Sequence, residues 1–174
     1  MNRILPILTA IGAAGYLTAL TLYVLTFWNV NASATPVYSP LTFVLFATWL
    51  VAILKLVGDP EVREHQKNKS KNPLTFFKII FKGTPIAIQL LAGASFIFAM
   101  VSFAYLMYSQ PGVVSVIDGK KVLHNHGDII KELTEQEYIE ALAIESRQFV
   151  GHYLAFFGVG TAILWPEKNG ENNL

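Results

Sequence analysis

Six residues in the last third of the chain carry chemistry beyond packing: His124, His126, Glu145, Arg147, Gln148 and His152. The two early histidines are spaced H-x-H. On an extended strand, residues i and i+2 face the same way, so such a pair can chelate a metal ion. A zinc-type site needs a third and usually a fourth ligand. Glu145, Gln148 and His152 recur at i, i+3 and i+7, one stripe of a helix. Glu145 and His152 would complete a site if the strand folded back on that helix. The same letters also read as a turn, because Asn125-His126-Gly127 has the residue types that reverse a chain. In that reading both imidazoles are solvated or hydrogen-bonded, and the site holds no metal. His152 raises a separate question. An ionisable group at membrane depth is costly and marks a functional position by default. A proton, quinone or ligand contact competes there with a structural hydrogen bond between helices.

Composition defines the surroundings of these residues. Of 174 residues, 53% are hydrophobic and 14% charged, against roughly 25% charged in soluble domains. The mean hydropathy is +0.44. This balance belongs to a bilayer. A net charge of +1 with no basic face excludes a nucleic-acid partner. The absence of cysteine excludes disulfides, thiolate metal sites, Fe–S clusters and thiol nucleophiles. The sequence holds no phosphate-binding, dinucleotide, H-E-x-x-H or G-x-S-x-G fingerprint. It therefore names no cofactor, and the chain reads as non-enzymatic.

A bilayer core of about 30 Å requires roughly 20 apolar residues as helix. Four segments are expected to span, at 4–28, 38–57, 85–108 and 149–165. The first and third carry no charge, and the second carries only Lys55, near its end. The fourth is shorter, contains His152, and reads as the end of a longer helix. Trp28, Tyr38, Tyr105, Tyr108, Tyr153 and Trp165 lie near segment ends, where aromatic rings favour the headgroup zone. Ala32-Ser33-Ala34 resembles a signal cleavage site, but the first apolar run exceeds the 7–15 residues of a signal core, so retention is expected. Stripes of small residues mark expected helix contacts: Ala10, Ala14 and Thr18; Ser95, Ala99 and Ser102; Gly151, Ala155, Gly158 and Ala162. They fit a compact four-helix bundle and equally a homodimer face. The whole chain, 1–174, reads as one integral membrane domain.

Lysine and arginine set the orientation. Residues 58–84 hold Arg63, Lys67, Lys69, Lys71, Lys78 and Lys82, residues 29–37 hold none, and Arg3 and Lys168 flank the termini. Both termini and the basic loop are thus expected in the cytoplasm, with 109–148 outside and Lys55 snorkelling inward. Within the basic loop, 61–71 reads as a solvated run. A short helix follows from Asn72 and Pro73 to Gly83. Phe77, Lys78, Phe81 and Lys82 would hold it at an anionic lipid surface, Lys78 and Lys82 sharing one face. In the outer loop, Asp118-Gly119 predicts a type I′ hairpin pairing Ile117 with Lys120, Ser115 with Val122 and Val113 with His124. Thr134 and Glu137 form a capping box that starts a helix of about 30 residues, about 45 Å, descending from the cap into the membrane.

The run DGKKVLHNHG…ELTEQEY…RQFVGHYLAFFG resembles small uncharacterised bacterial inner-membrane proteins with D-G-x-x-V-L-x-N-H-G, L-T-x-x-E-Y and G-H-x-x-x-F-[FY] patterns. The resemblance covers about 45 residues of the third loop and fourth span, and implies a multi-pass protein of the bacterial cytoplasmic membrane. The layout also looks like that of immunity proteins against pore-forming bacteriocins, by analogy of size and span number. The leading expectation is a non-enzymatic membrane protein, accessory or immunity-like, that binds another membrane protein through its outer cap. The alternatives are a membrane enzyme or a metal- or quinone-binding protein using the rim histidines, and a small channel or transporter built by homo-oligomerisation.

Overall fold

The structure, a computed structural model, describes residues 4–67 and 72–166. In chain order these form α1 (Leu5–Leu25, extended by a 3₁₀ turn Thr26–Trp28), α2 (Tyr38–Gly58), α3 (Pro60–Lys67) and α4 (Pro73–Ile80). There follow α5 (Ile86–Ser109), β1 (Val113–Ile117), β2 (Lys120–Asn125), β3 (Asp128–Glu132) and α6 (Glu135–Leu164). Three helices, α1 with its turn, α2 and α5, are long and apolar enough to cross a membrane. Their outer faces carry Ile7, Leu17, Phe43, Phe46, Leu90 and Ile97, each 60–75% exposed. So many large apolar side chains facing outward along three long helices suit hydrocarbon rather than water.

The fourth expected segment differs. Residues 149–164 form the lower half of α6, and from Tyr153 to Leu164 all but Phe156 and Val159 are buried. Helices α1, α2 and α5 pack around it. Its glycines are therefore shielded by protein and His152 is partly so, and it does not need the hydropathy of a lipid-facing span.

Close approach depends on glycine in α1. A Cβ added at Gly12 would lie 2.4 Å from Thr161 Oγ1, and one at Gly15 would lie 2.4 Å from the ring of Phe157. The buried face of α1 is Thr9, Gly12, Gly15, Ala19 and Leu22, whereas Ala10 and Ala14 of the expected stripe are exposed. The expected set and the buried pair Gly15 and Ala19 both satisfy small-xxx-small spacing. The bulk of Phe157 opposite decides between them, because only a residue without a Cβ leaves room for the ring. On α5, Ser95 and Ala99 are buried as expected, as are Gly151, Ala155, Gly158 and Ala162 on α6.

Both ends of the lower half of α6 are tied to other elements. The last carbonyls of a helix have no partner within it, and here three elements supply donors. Thr84 Oγ1 donates to Ala162 O at 2.8 Å and Thr9 Oγ1 to Leu164 O at 2.9 Å. Lys55 Nζ donates to Ile163 O at 2.8 Å and Trp165 O at 3.3 Å. Lys55, expected to snorkel, instead turns back to cap α6. At the other end, Ser146 Oγ accepts the Ala32 N–H at 3.1 Å. Arg147 donates to Thr26 Oγ1 and Thr26 O, both at 2.9 Å, with its guanidinium 4.1 Å above the Phe27 ring. These ties fix an alternating up-and-down arrangement. The start of α1, the end of α2, the start of α5 and the end of α6 share one end of the bundle.

That end also carries α3 and α4. Residues 60–67, expected as part of a solvated run, form a helix because Asp59 Oδ1 accepts the N–H groups of Glu61 and Val62, Val62 is buried, and His65 stacks on Phe76. Helix α4 starts as expected, with Asn72 Oδ1 accepting the Leu74 N–H at 2.9 Å. It stops at Ile80, earlier than Gly83, so Lys82 lies in the closing turn and pairs with Glu61 rather than sharing a helical face with Lys78. Phe81 packs against the cluster of Ala52, Ile163 and Leu164, whereas Leu74, Phe77 and Lys78 are exposed. The expected charges Arg3, Lys69, Lys71 and Lys168 lie outside the described residues.

The cap is a three-stranded antiparallel sheet in the order β1-β2-β3, where a single hairpin was expected. The first hairpin has the anticipated register, with Asp118 and Gly119 at φ 49° and 78°, both positive as type I′ requires. The second has the same geometry, with His126 and Gly127 at φ 51° and 97°. His-Gly is a weaker turn signal than Asn-Gly or Asp-Gly, and β3 offers only two strand formers, Ile129 and Ile130. Helix α6 begins at the expected capping box of Thr134 and Glu137 and runs 30 residues.

Candidate functional site

Where the cap meets the bundle there is a cavity of about 500 Å³, within the 300–1,000 Å³ range of small-molecule sites. The end of α5, the linker to β1, the end of β2 and the middle of α6 enclose it. Leu106, Met107, Ile144 and Phe149 form apolar walls, and Gln110, Asn125, Glu145 and Gln148 contribute polar groups. The linker can run close to β2 because residue 112 is glycine: a Cβ there would lie 2.7 Å from His124 O.

Glu145 is the central group. Its Oε1 accepts the Val114 N–H at 2.6 Å and the Gln110 side-chain amide at 3.5 Å, so it fastens β1 to α6. Burial raises its pKa above the ordinary glutamate value, partly offset by the Val114 N–H and the nearby His124. Gln148 lies one turn further along the same cavity wall. Among the described residues, none hydrogen-bonds the side-chain amides of Gln148 or Asn125.

The histidines separate. His124 lies on β2 with its Nδ1 buried and without a hydrogen-bond partner. His126 occupies the turn after β2 and is exposed, so the two do not share a face of one strand. His152 sits below, its Nδ1 2.7 Å from Gln148 O on its own helix and its ring edge-to-face with Phe103 at 5.5 Å. Its hydrogen bond is thus within α6, and its contact across helices is aromatic. No three metal-ligating side chains converge among the described residues. Arg147 faces away from the cavity to the Thr26–Phe27 corner, where it acts as a latch. Of the residues singled out by spacing, Glu145 and Gln148 line this cavity; Gln110 was not singled out, and Asn125 was assigned only to a turn. The Gln110-Pro111-Gly112 breaker at the end of the third apolar run was the available signal.

Two expected outcomes follow. Arg147→Leu loses both hydrogen bonds to Thr26 and should cost about 2 kcal/mol, since bonds from charged donors contribute about 1.5–3 kcal/mol. Thermal unfolding in detergent would measure this, and an unchanged midpoint would remove the latch. Glu145 and Glu137 should act oppositely with pH. A raised folded pKa means that the Glu145 contribution is complete below the ordinary carboxylate range and is lost as pH rises through the raised value. Glu137 is pulled down to about 2, first by Lys131 and then by Thr134. Its contribution is present above the ordinary range and is lost as pH falls. The wild-type melting temperature minus that of Glu145→Gln, followed from about pH 4 to about pH 8, isolates the first. It should fall with pH, and a flat or rising difference would contradict the assignment.

The described elements make up a mostly helical protein with three helices long and apolar enough to cross a membrane, which suggest a multi-pass membrane protein, and a small sheet cap. Comparison with protein-family models, with curated proteins and with solved structures gives no match.

Proposed function

We propose that this chain is a four-span protein of a bacterial cytoplasmic membrane, with both termini and α3–α4 on the cytoplasmic side, that binds another membrane protein through its outer cap. The observation that carries the binding role is β3. It pairs with β2 on one side only, it is exposed at every residue, and it presents Ile129 and Ile130, 54% and 49% exposed. A free edge with apolar side chains is a template for an added strand. A Lys on an edge strand normally discourages such pairing, but Lys131 is engaged by Glu137. A bulge between Leu123 and His124 leaves Ile130 outside the β2–β3 register. The pairs Lys120–Glu132 and Lys121–Glu135 join β2 to β3 and to the start of α6. A partner would therefore meet a preformed surface, with less ordering entropy lost on binding.

Orientation follows from Arg63, Lys67, Lys78 and Lys82, which lie at the α3–α4 end. The chain lacks cysteine, so single cysteines are clean probes. An impermeant maleimide on intact cells should label Lys120→Cys and spare Lys78→Cys, and the reverse pattern would invert the topology. A photocrosslinking residue at position 129 in native membranes should trap a defined membrane protein. The Leu133 N–H donates to Lys121 O, so strand alternation turns the Glu132 N–H to the open edge. Glu132→Pro, which removes that N–H, should abolish the adduct. An adduct that survives the proline, or the absence of any adduct, would end the strand-pairing reading.

A further inference from the structure

The cavity beneath the cap is distinct from the β3 edge and has its own chemistry. It lies at the level where α5 ends in Tyr105 and Tyr108, which are 67% and 89% exposed, and where Phe149 opens the apolar half of α6. Exposed aromatic rings at the end of an apolar helix mark a headgroup zone. The walls divide in the same sense. Leu106, Met107, Ile144 and Phe149 offer hydrocarbon, while Glu145, Gln148, Gln110 and Asn125 offer hydrogen-bonding groups. On Glu145 only Oε1 is engaged by described residues. An ionised carboxylate accepts at about four lone-pair positions on two oxygens, so Oε2 has acceptor capacity to spare. The unengaged amides of Gln148 and Asn125 add further acceptors and donors. Among the described residues, no lysine or arginine lines the cavity; Arg147 is turned to Thr26. A half-buried carboxylate beside two unengaged amides and above an apolar slot complements a donor headgroup on a hydrocarbon tail. Burial raises the pKa of Glu145, and a bound cation would favour its charged form.

We propose that this cavity is a binding site for a membrane lipid whose headgroup carries a primary ammonium, with the ammonium donating to Glu145 and the neighbouring amides and the upper part of one acyl chain lying against Leu106, Met107 and Phe149. The site discriminates by donor count. A primary ammonium donates three hydrogen bonds, a quaternary ammonium carries the same charge and donates none, and a glycerol headgroup donates without the charge.

The test uses the full chain purified in mild detergent, with native mass spectrometry at equal concentrations of phosphatidylethanolamine, phosphatidylcholine and phosphatidylglycerol. Phosphatidylethanolamine should be retained about tenfold over phosphatidylcholine, the order of effect of one charge-assisted hydrogen bond. Glu145→Gln keeps an acceptor for the Val114 N–H and should lower that preference to about twofold or less. Gln148→Leu leaves the Val114 tether untouched and should weaken phosphatidylethanolamine with little change in phosphatidylcholine, which guards against a trivial loss through misfolding. Equal retention of all three lipids by the wild type would overturn the proposal. So would a preference for phosphatidylglycerol, or a phosphatidylethanolamine preference that both variants leave intact.

Discussion

Truncating Phe157 to alanine is expected to destabilise the bundle by about 3 kcal/mol, the largest single effect of any side chain here. Phe157 is fully buried among Ala19, Leu22, Leu45, Val150 and Leu154. In water-soluble cores such a change costs about 3–5 kcal/mol. The lower end applies because a ring released from these helices enters hydrocarbon, so most of the transfer term disappears and the loss of packing remains. The partner of this ring is an absence, the missing Cβ of Gly15 at 2.4 Å. Gly15→Ala alone should therefore cost about 1–3 kcal/mol by overpacking. In the Phe157→Ala background the same methyl fills space and should cost almost nothing. A double-mutant cycle on thermal stability in detergent would read this coupling as about 1–3 kcal/mol. Additive losses would mean that α1 and α6 do not meet at this pair.

The second large effect concerns the end of α6. Lys55→Met should cost about 2 kcal/mol, because two carbonyls lose a charged donor in surroundings where water cannot replace it. Thr9→Val and Thr84→Val each remove one neutral hydrogen bond and should cost about 1 kcal/mol. Lys55→Arg keeps a cation within reach of the carbonyls and should be nearly neutral. Hydrogen exchange over residues 160–165 locates the loss as well as its size, since an uncapped end frays first. If Lys55→Met and Lys55→Arg behave alike, Lys55 does not hold the end of α6.

These two predictions also show what was hidden in the sequence. The helix 135–164 was visible from its capping box and the absence of a stop before Pro166. Its role as the centre of the bundle was not. A helix surrounded by protein needs less hydropathy than one facing lipid, so the most buried segment looked like the least convincing span. The contact face of α1 was misassigned for a related reason. Ala10, Ala14, Gly12 and Gly15 are all small, and nothing in α1 itself says that a phenylalanine 142 positions later requires one particular gap. Glu145 and Gln148 were picked out by helical spacing and do line the cavity. His126 was picked out by spacing to His124, but turn geometry took it off the strand.

The sequence alone marked the long helices: apolar runs long enough for a bilayer, punctuated by Gly, Pro and charge, locate the three helices that could cross a membrane and roughly where they end, because those signals are local. It also determined the first hairpin and the start of α6, both written in adjacent residues. Tertiary structure decided what depends on partners distant in the chain. Such decisions include which face of α1 is inside, that Lys55 caps α6, that Glu145 reaches the amide of Val114, and that a cavity opens between them. Each depends on which groups become neighbours once helices of similar composition pack together, and a pattern of small and apolar residues allows more than one such packing.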